Sequence, residues 1–194
     1  MKDDLKRTFI SVSIFGEQAV GKTCICSRFL GLEFSEAHLA TIGIDRRSSV
    51  IKTEEGEELK LKLWDTAGQE RFRSVSVRNI RFSQGAVVVF DLTNKDTFGK
   101  VTDWLKQIRD FSDKMPIALF GNKSDLVDER EVTQEEIDKL CKEKNLIYFE
   151  TSAKDNKGIT EGFTKIASIA FKIFGHIEEN GQKLKPIKKR KSKC

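Results

Sequence analysis

No stretch of this 194-residue chain approaches the roughly 20 consecutive apolar residues that a bilayer-crossing helix needs. The first residues, Met1-Lys2-Asp3-Asp4-Leu5-Lys6-Arg7, are charged and lack the apolar centre of an export signal, so a soluble, intracellular protein is expected. Cysteine is scarce: Cys24, Cys26, Cys141 and Cys194 include no C-x-x-C spacing and no nearby histidine pair, which argues against a zinc site or a disulfide framework. Cys24 and Cys26 are expected to pack as small apolar residues. A charge excess is also missing from most of the chain. The net charge of +5 is accounted for after His176, where Lys183, Lys185, Lys188, Lys189, Arg190, Lys191 and Lys193 outnumber Glu178 and Glu179. The body is therefore neutral, which argues against a nucleic-acid surface on it and makes the tail the electropositive object. With 38% hydrophobic and 34% charged residues the chain is not mainly disordered. Its length fits one domain, residues 1–175, and a tail, residues 176–194, too poor in apolar residues to fold.

The periodicities alternate between strand and helix. Phe9 to Phe15 reads as a buried strand, followed by a helix with Ile25, Phe29 and Leu32 on its apolar face. Gly31 to Asp45 has little periodicity and reads as a surface loop. Ser49 to Thr53 and Leu59 to Trp64 flank the turn Glu54-Glu55-Gly56 as a hairpin with one wet face. From Asp65 to Phe82 the period fails and arginines accumulate, predicting a mobile or partly helical loop. Ala86 to Phe90 is a continuous apolar run of the central-strand kind. Phe98, Val101, Leu105 and Ile108 predict one helix, and Ile117 to Phe120 a strand. Thr133-x-x-Glu136 predicts a capping box opening a helix with Ile137, Leu140 and Cys141 inward. Leu146 to Phe149 reads as a strand, and Ile159, Phe163, Ile166, Ala170 and Ile173 as a closing helix. The expected fold is doubly wound α/β: a mostly parallel six-stranded sheet with one antiparallel edge strand and helices on both faces.

Every chemically suggestive motif falls just after a predicted strand, where ligands sit in such sheets. Gly16-Glu17-Gln18-Ala19-Val20-Gly21-Lys22-Thr23 has the spacing G-x-x-x-x-G-K-[ST]. Its backbone N–H groups can surround a phosphate at a helix mouth, Lys22 adds a point charge, and Thr23 offers a hydroxyl to Mg2+. A glycine-rich turn with an exposed lysine is the plainer alternative. Asp65, in Asp65-Thr66-Ala67-Gly68-Gln69, can hold Mg2+ directly or through water, though Asp-x-x-Gly is also a common turn. In Asn122-Lys123-Ser124-Asp125 the aspartate can accept from the N1–H and 2-amino group of guanine; adenine, lacking both donors, leaves it unpaired. Glu150-Thr151-Ser152-Ala153-Lys154 can present a backbone N–H to guanine O6. Each tetrapeptide alone is weak; their order is not.

In that order the motifs resemble those of the Ras-superfamily small GTPases, and within them the Rab family, over residues 8 to 175. Trp64-Asp65-Thr66-Ala67-Gly68-Gln69-Glu70-Arg71-Phe72 and Ala40-Thr41-Ile42-Gly43-Ile44-Asp45 are similar to the Rab signatures of switch II and switch I. The Glu17-Gln18 pair with the second of these is most similar to the Golgi-trafficking branch. The resemblance implies GTP/GDP and Mg2+ as ligands. It implies nucleotide contacts at Gln18, Ala19, Val20, Gly21, Lys22, Thr23, Cys24, Asn122, Lys123, Asp125, Ser152, Ala153 and Lys154. Thr41 would bind Mg2+ beside Thr23 and Asp65 and sense the γ-phosphate, and Gly68 would contact it through its N–H. Phe34 would pack on the guanine ring, with a plain core role as the rival. Gln69 would orient the attacking water in a hydrolysis that is slow without an activating protein, because phosphoryl transfer rests on positioning and charge stabilisation. The implied partners are an exchange factor, an activating protein and effectors in vesicle traffic, for a monomer on the cytoplasmic face of endomembranes, the Golgi among them.

Three departures qualify this. Rabs commonly carry a phenylalanine and a tyrosine where this chain has Arg46 and Asn79, leaving only Trp64 of an aromatic trio that effectors pack against, so a more polar effector surface is expected. Gln18 and Ala19 stand where Ras has glycine, and a side chain there can crowd the arriving water, predicting slower hydrolysis. The chain ends Lys191-Ser192-Lys193-Cys194, without two cysteines or a C-a-a-X box. Either Cys194 carries one prenyl chain helped by the basic residues, or the tail is an unmodified polybasic or nuclear-localisation-like run. A GTP-binding scaffold that does not cycle and another P-loop NTPase remain as alternatives.

Overall fold

The computed structural model describes residues 9–35, 44–66 and 80–175. In chain order the elements are β1 (Phe9–Phe15), α1 (Lys22–Phe29), β2 (Ile44–Lys52), β3 (Glu58–Thr66), β4 (Gly85–Asp91), α2 (Lys95–Gly99), α3 (Val101–Phe111), β5 (Ile117–Asn122), α4 (Gln134–Lys144), β6 (Ile147–Glu150) and α5 (Ile159–Phe174). The strands form one sheet in the order β2-β3-β1-β4-β5-β6. β1, β3, β4, β5 and β6 are parallel, and β2 pairs antiparallel with β3 at the edge. This is the expected topology.

Side chains alternate across the sheet, so each strand feeds two cores. Val12, Leu61, Leu63, Val87, Val89 and Phe120 pack with Ile25, Phe163 and Ile166 of α1 and α5. Ala86, Val88, Phe90 and Leu119 pack on the other face with Val101, Trp104, Ile108 and Ile137 of α3 and α4. All seven residues of β4 are buried, as its uninterrupted apolar run requires. In β3 the alternation is visible: Leu59, Leu61 and Leu63 are buried while Lys60 and Lys62 are partly exposed.

Several expectations need correction. Leu32 lies beyond the end of α1 and is 51% exposed, because the helix closes at Leu30 and Gly31 turns the chain with φ 78°. The single helix expected around residues 98 to 108 is two: Asn94 caps α2 by accepting from the Asp96 and Thr97 amides, and Lys100 lies between α2 and α3. Ile173 is 49% exposed at the end of α5. The inward face expected for α4 is present: Ile137 is fully buried, and Leu140 and Cys141, partly buried, pack against the same core. The capping box at Thr133 and Glu136 is present in both directions. Of the loop expected across residues 65 to 82, Asp65 and Thr66 belong to β3 and most of the rest lies outside the described residues. β2 begins at Ile44, where a loop was expected, rather than at Ser49, because it pairs with the whole length of β3.

Candidate nucleotide site

At the carboxyl edge of β1, β5 and β6 the loops converge on a cavity of about 360 Å³. It is lined by Ala19, Gly21, Cys24, Phe34, Asn122, Lys123, Asp125, Leu126, Ala153 and Lys154. Thus eight of the expected contacts meet here with Phe34, which is half-buried and turned to this cavity as well as to the core. Val20, Lys22, Thr23 and Ser152 support the walls instead, and Gln18 is exposed on the loop beside it. Thr41, Gly68, Gln69 and Cys194 lie outside the described residues.

The phosphate loop is held by its own lysine. Lys22 Nζ donates to the carbonyls of Gly16 (2.9 Å) and Glu17 (2.7 Å), bending the loop around the amine. Gly16 has φ 140° and lies so close to β4 that a Cβ would meet the Val89 carbonyl oxygen at 2.2 Å. Gly21 has φ 95°, and a Cβ there would meet Asn122 Nδ2 at 2.3 Å. Both glycines are required by close approach as well as by φ. Ala19 adopts φ 63° although it is not glycine, at a cost of about 1 to 2 kcal/mol.

Asn122 ties the loops together. Its Nδ2 donates to the Val20 carbonyl (2.8 Å), while its Oδ1 accepts from the Ala153 amide (3.2 Å) and the Thr151 hydroxyl (3.3 Å). Asp125 Oδ1 accepts from Ser152 Oγ at 2.6 Å, which orients the carboxylate at the cavity. Lys123, in the left-handed region with φ 68°, pairs with Asp91 Oδ2 at 2.5 Å. Asp91 Oδ1 in turn accepts from the Thr93 amide and hydroxyl.

Thr23 Oγ1 donates to Asp65 Oδ2 at 2.6 Å, and the buried Asp65 Oδ1 has no hydrogen-bond partner. An orphaned buried carboxylate oxygen beside a hydroxyl is the hard-oxygen donor pair that suits Mg2+. Among the described residues no cluster of three or more His, Cys, Asp or Glu could hold a metal. That also fits Mg2+, which takes one or two protein oxygens and completes its shell with water and phosphate. Burial pushes the Asp65 carboxyl above its ordinary value, against the opposing pull of the Thr23 hydrogen bond and the Lys22 charge. Burial also lowers Lys22 to about 8, although Asp65 and Glu17 act to raise it. For both groups burial outweighs the pull of the opposite charge.

Three participants were not visible as motifs. Leu126 lines the cavity as a lone apolar residue without period. Asp91 ends the apolar run of β4, and a charge at the carboxyl end of a central strand was the available signal. Trp104 Nε1 donates to Glu17 Oε1 at 3.0 Å across 87 positions, a distance no local pattern encodes.

The model of the Ras family matches residues 11–172. Over 153 residues the chain is 42% identical to the Ras-related protein Rab-4 of Dictyostelium discoideum, covering 78% of this chain and 74% of that protein. It is 36% identical over 189 residues to the Ras-related protein Rab-13 of Mesocricetus auratus, and 37% identical over 189 residues to that of Canis lupus familiaris, covering 93% of each pair.

Proposed function

This chain belongs to the Ras family, in its Rab branch, and from that premise we infer that the cavity at the sheet edge takes GTP and GDP. It is a small GTPase, a switch of membrane traffic that hydrolyses GTP. The observation that carries the residue assignment is the Asn122 bridge. One side chain fixes the phosphate loop at Val20 and the base-side loop at Ala153, so phosphate and base are read by one rigid frame.

In this reading Asp125, oriented by Ser152, accepts the N1–H and 2-amino donors of guanine, while Phe34 and Lys123 flank the ring. The amides from Gln18 to Cys24 surround the phosphates, and Lys22 exchanges its two carbonyl partners for phosphate oxygens. Thr23 and Asp65 are the oxygens that hold Mg2+, joined by Thr41. The ion, when bound, offsets charge developing on the phosphate oxygens. Gln69 orients the attacking water. Loss of the γ-phosphate frees Thr41 and Gly68, and partners that favour one loop state read the difference.

We also propose that residues 1–175 form the nucleotide-binding domain and that residues 176–194 are an anchor to the cytoplasmic face of endomembranes. Cys194 would carry a prenyl chain, and mass spectrometry of the native C-terminal peptide reads it directly. The similarity of Glu17-Gln18 and Ala40 to Asp45 to the Golgi branch supports that compartment. The described part is proposed to act as a monomer, with exchange factor, activating protein and effectors as partners. Competition among GTP, ITP and ATP tests the base assignment. Inosine lacks the 2-amino donor, so ITP is expected to bind about 10- to 100-fold more weakly, and ATP more weakly still. Equal affinity for ATP would overturn the Asp125 role.

A further inference from the structure

Asp128, Glu129 and Glu131 are exposed, but Arg130 among them turns inward. Its Nη1 donates to Glu150 Oε2 at 2.8 Å and its Nε to the Val132 carbonyl at 2.9 Å. The third nitrogen, Nη2, is buried with no hydrogen-bond partner among the described residues. Glu150 Oε2 also accepts from the Tyr148 hydroxyl at 3.4 Å, and Tyr148 fits there because residue 121 is glycine: a Cβ on Gly121 would meet that hydroxyl at 2.6 Å. A half-exposed ion pair adds little to stability, and an orphaned buried N–H subtracts from it. What this contact holds in place accounts for it better than what it stabilises.

Arg130 and Glu150 belong to the two limbs that bring groups to the base side of the cavity. One limb leaves β5 at Asn122, carries Lys123, Asp125 and Leu126 to the cavity, and turns through residues 127–129 to Arg130. The other leaves β6 at Glu150 and carries Ala153 and Lys154. Beside the cavity the limbs are joined by Ser152 Oγ donating to Asp125 Oδ1 at 2.6 Å and by the Ser124 amide donating to the Thr151 carbonyl at 3.1 Å. The Arg130–Glu150 pair is a further tie, at the end of the first limb and the start of the second. Ties at both ends fix the direction of the Asp125 limb as well as its distance. A carboxylate that accepts from two donors on one ring edge depends on both.

We propose that Arg130 is a positioning residue for base selection: through Glu150 it holds the Asp125 limb in the orientation that meets both donors of the guanine edge. The inference rests on the guanine-nucleotide reading above and adds a residue that does not line the cavity.

The test measures GDP and IDP affinities of the full chain by competition with a fluorescent GDP analogue at fixed Mg2+, with a melting temperature for every variant. IDP lacks the 2-amino donor, so the ratio of the two affinities reads the second hydrogen bond to Asp125. The unsubstituted chain should favour GDP by about 10- to 100-fold. Arg130→Met should lower that ratio by about threefold or more, Glu150→Met likewise, and the double variant no further than either, as expected of two halves of one contact. Arg130→Lys, which still reaches toward Glu150 with a charge, should recover part of the ratio. Should Arg130→Met not fold, Arg130→Gln, which keeps a donor without the charge, carries the same comparison. A lowered melting temperature with an unchanged ratio, or equal losses of GDP and IDP, would mark a merely structural pair and overturn the proposal. Additive losses in the double variant would do the same. An unsubstituted chain that binds neither diphosphate, or binds ADP as well as GDP, would instead refute the guanine reading.

Discussion

Lys22 shows at the scale of one residue how burial and charge compete. The residue is 6% exposed within the loop its amine holds, and without nucleotide its pKa falls to about 8 because burial outweighs Asp65 and Glu17. Unfolded, the same amine titrates near 10.5. Between these values the unfolded chain holds more protons, so stability of the nucleotide-free protein rises with pH from about 8 to about 10.5. The gain is at most about 3 kcal/mol, and below pH 8 the burial cost is present in full. Urea unfolding of nucleotide-free protein at several pH values, compared with Lys22→Met, isolates this contribution; coincident slopes would refute it. Gln18 makes a kinetic prediction. It is exposed beside the cavity, so Gln18→Gly is expected to raise single-turnover GTP hydrolysis roughly threefold or more, about 0.7 kcal/mol in barrier. The glycines and the lysine of the loop were legible because a phosphate-binding turn restricts residue type at fixed spacing. The Lys123–Asp91 pair was not, because it joins two strands through space.

At the scale of elements, the strand and helix periods located every strand, since burial on one or both faces leaves a pattern of two or an uninterrupted apolar run. The break between α2 and α3 escaped that reading. Phe98 packs on Phe90 with ring centroids 4.9 Å apart, and Val101 continues in the same core, so the apolar stripe runs on while the backbone turns. Asn94 was the available signal, an N-cap residue before Asp96 and Thr97. α3 also reaches the phosphate loop through Trp104, which is 2% exposed and lies tilted against Phe15 with ring centroids 5.8 Å apart. Trp104→Phe keeps most of that volume and removes the donor to Glu17. It should cost about 1.5 to 3 kcal/mol of stability, the range for a hydrogen bond to a charged group, and should speed release of a fluorescent GDP analogue. Unchanged release would show that the contact supports the helix alone.

For the whole molecule, the last described helix ends where the charged stretch of the sequence begins. α5 closes where the Gly175 amide donates to Phe171 O at 2.8 Å, and the residues carrying the net charge follow. Truncation after Gly175 is expected to leave melting temperature and nucleotide affinity unchanged and to abolish sedimentation with phosphatidylserine vesicles at low salt. A truncated chain that still sediments would place the lipid-binding charge on the body. The remaining consequence concerns how the cavity is emptied. Because one amide side chain is shared between the first loop and the last, neither can be prised away while the other stays in register. A catalyst of exchange therefore needs leverage at only one end: drawing the Val20 carbonyl off β5 slackens the grip on the base without touching it, and the ligand leaves as a unit.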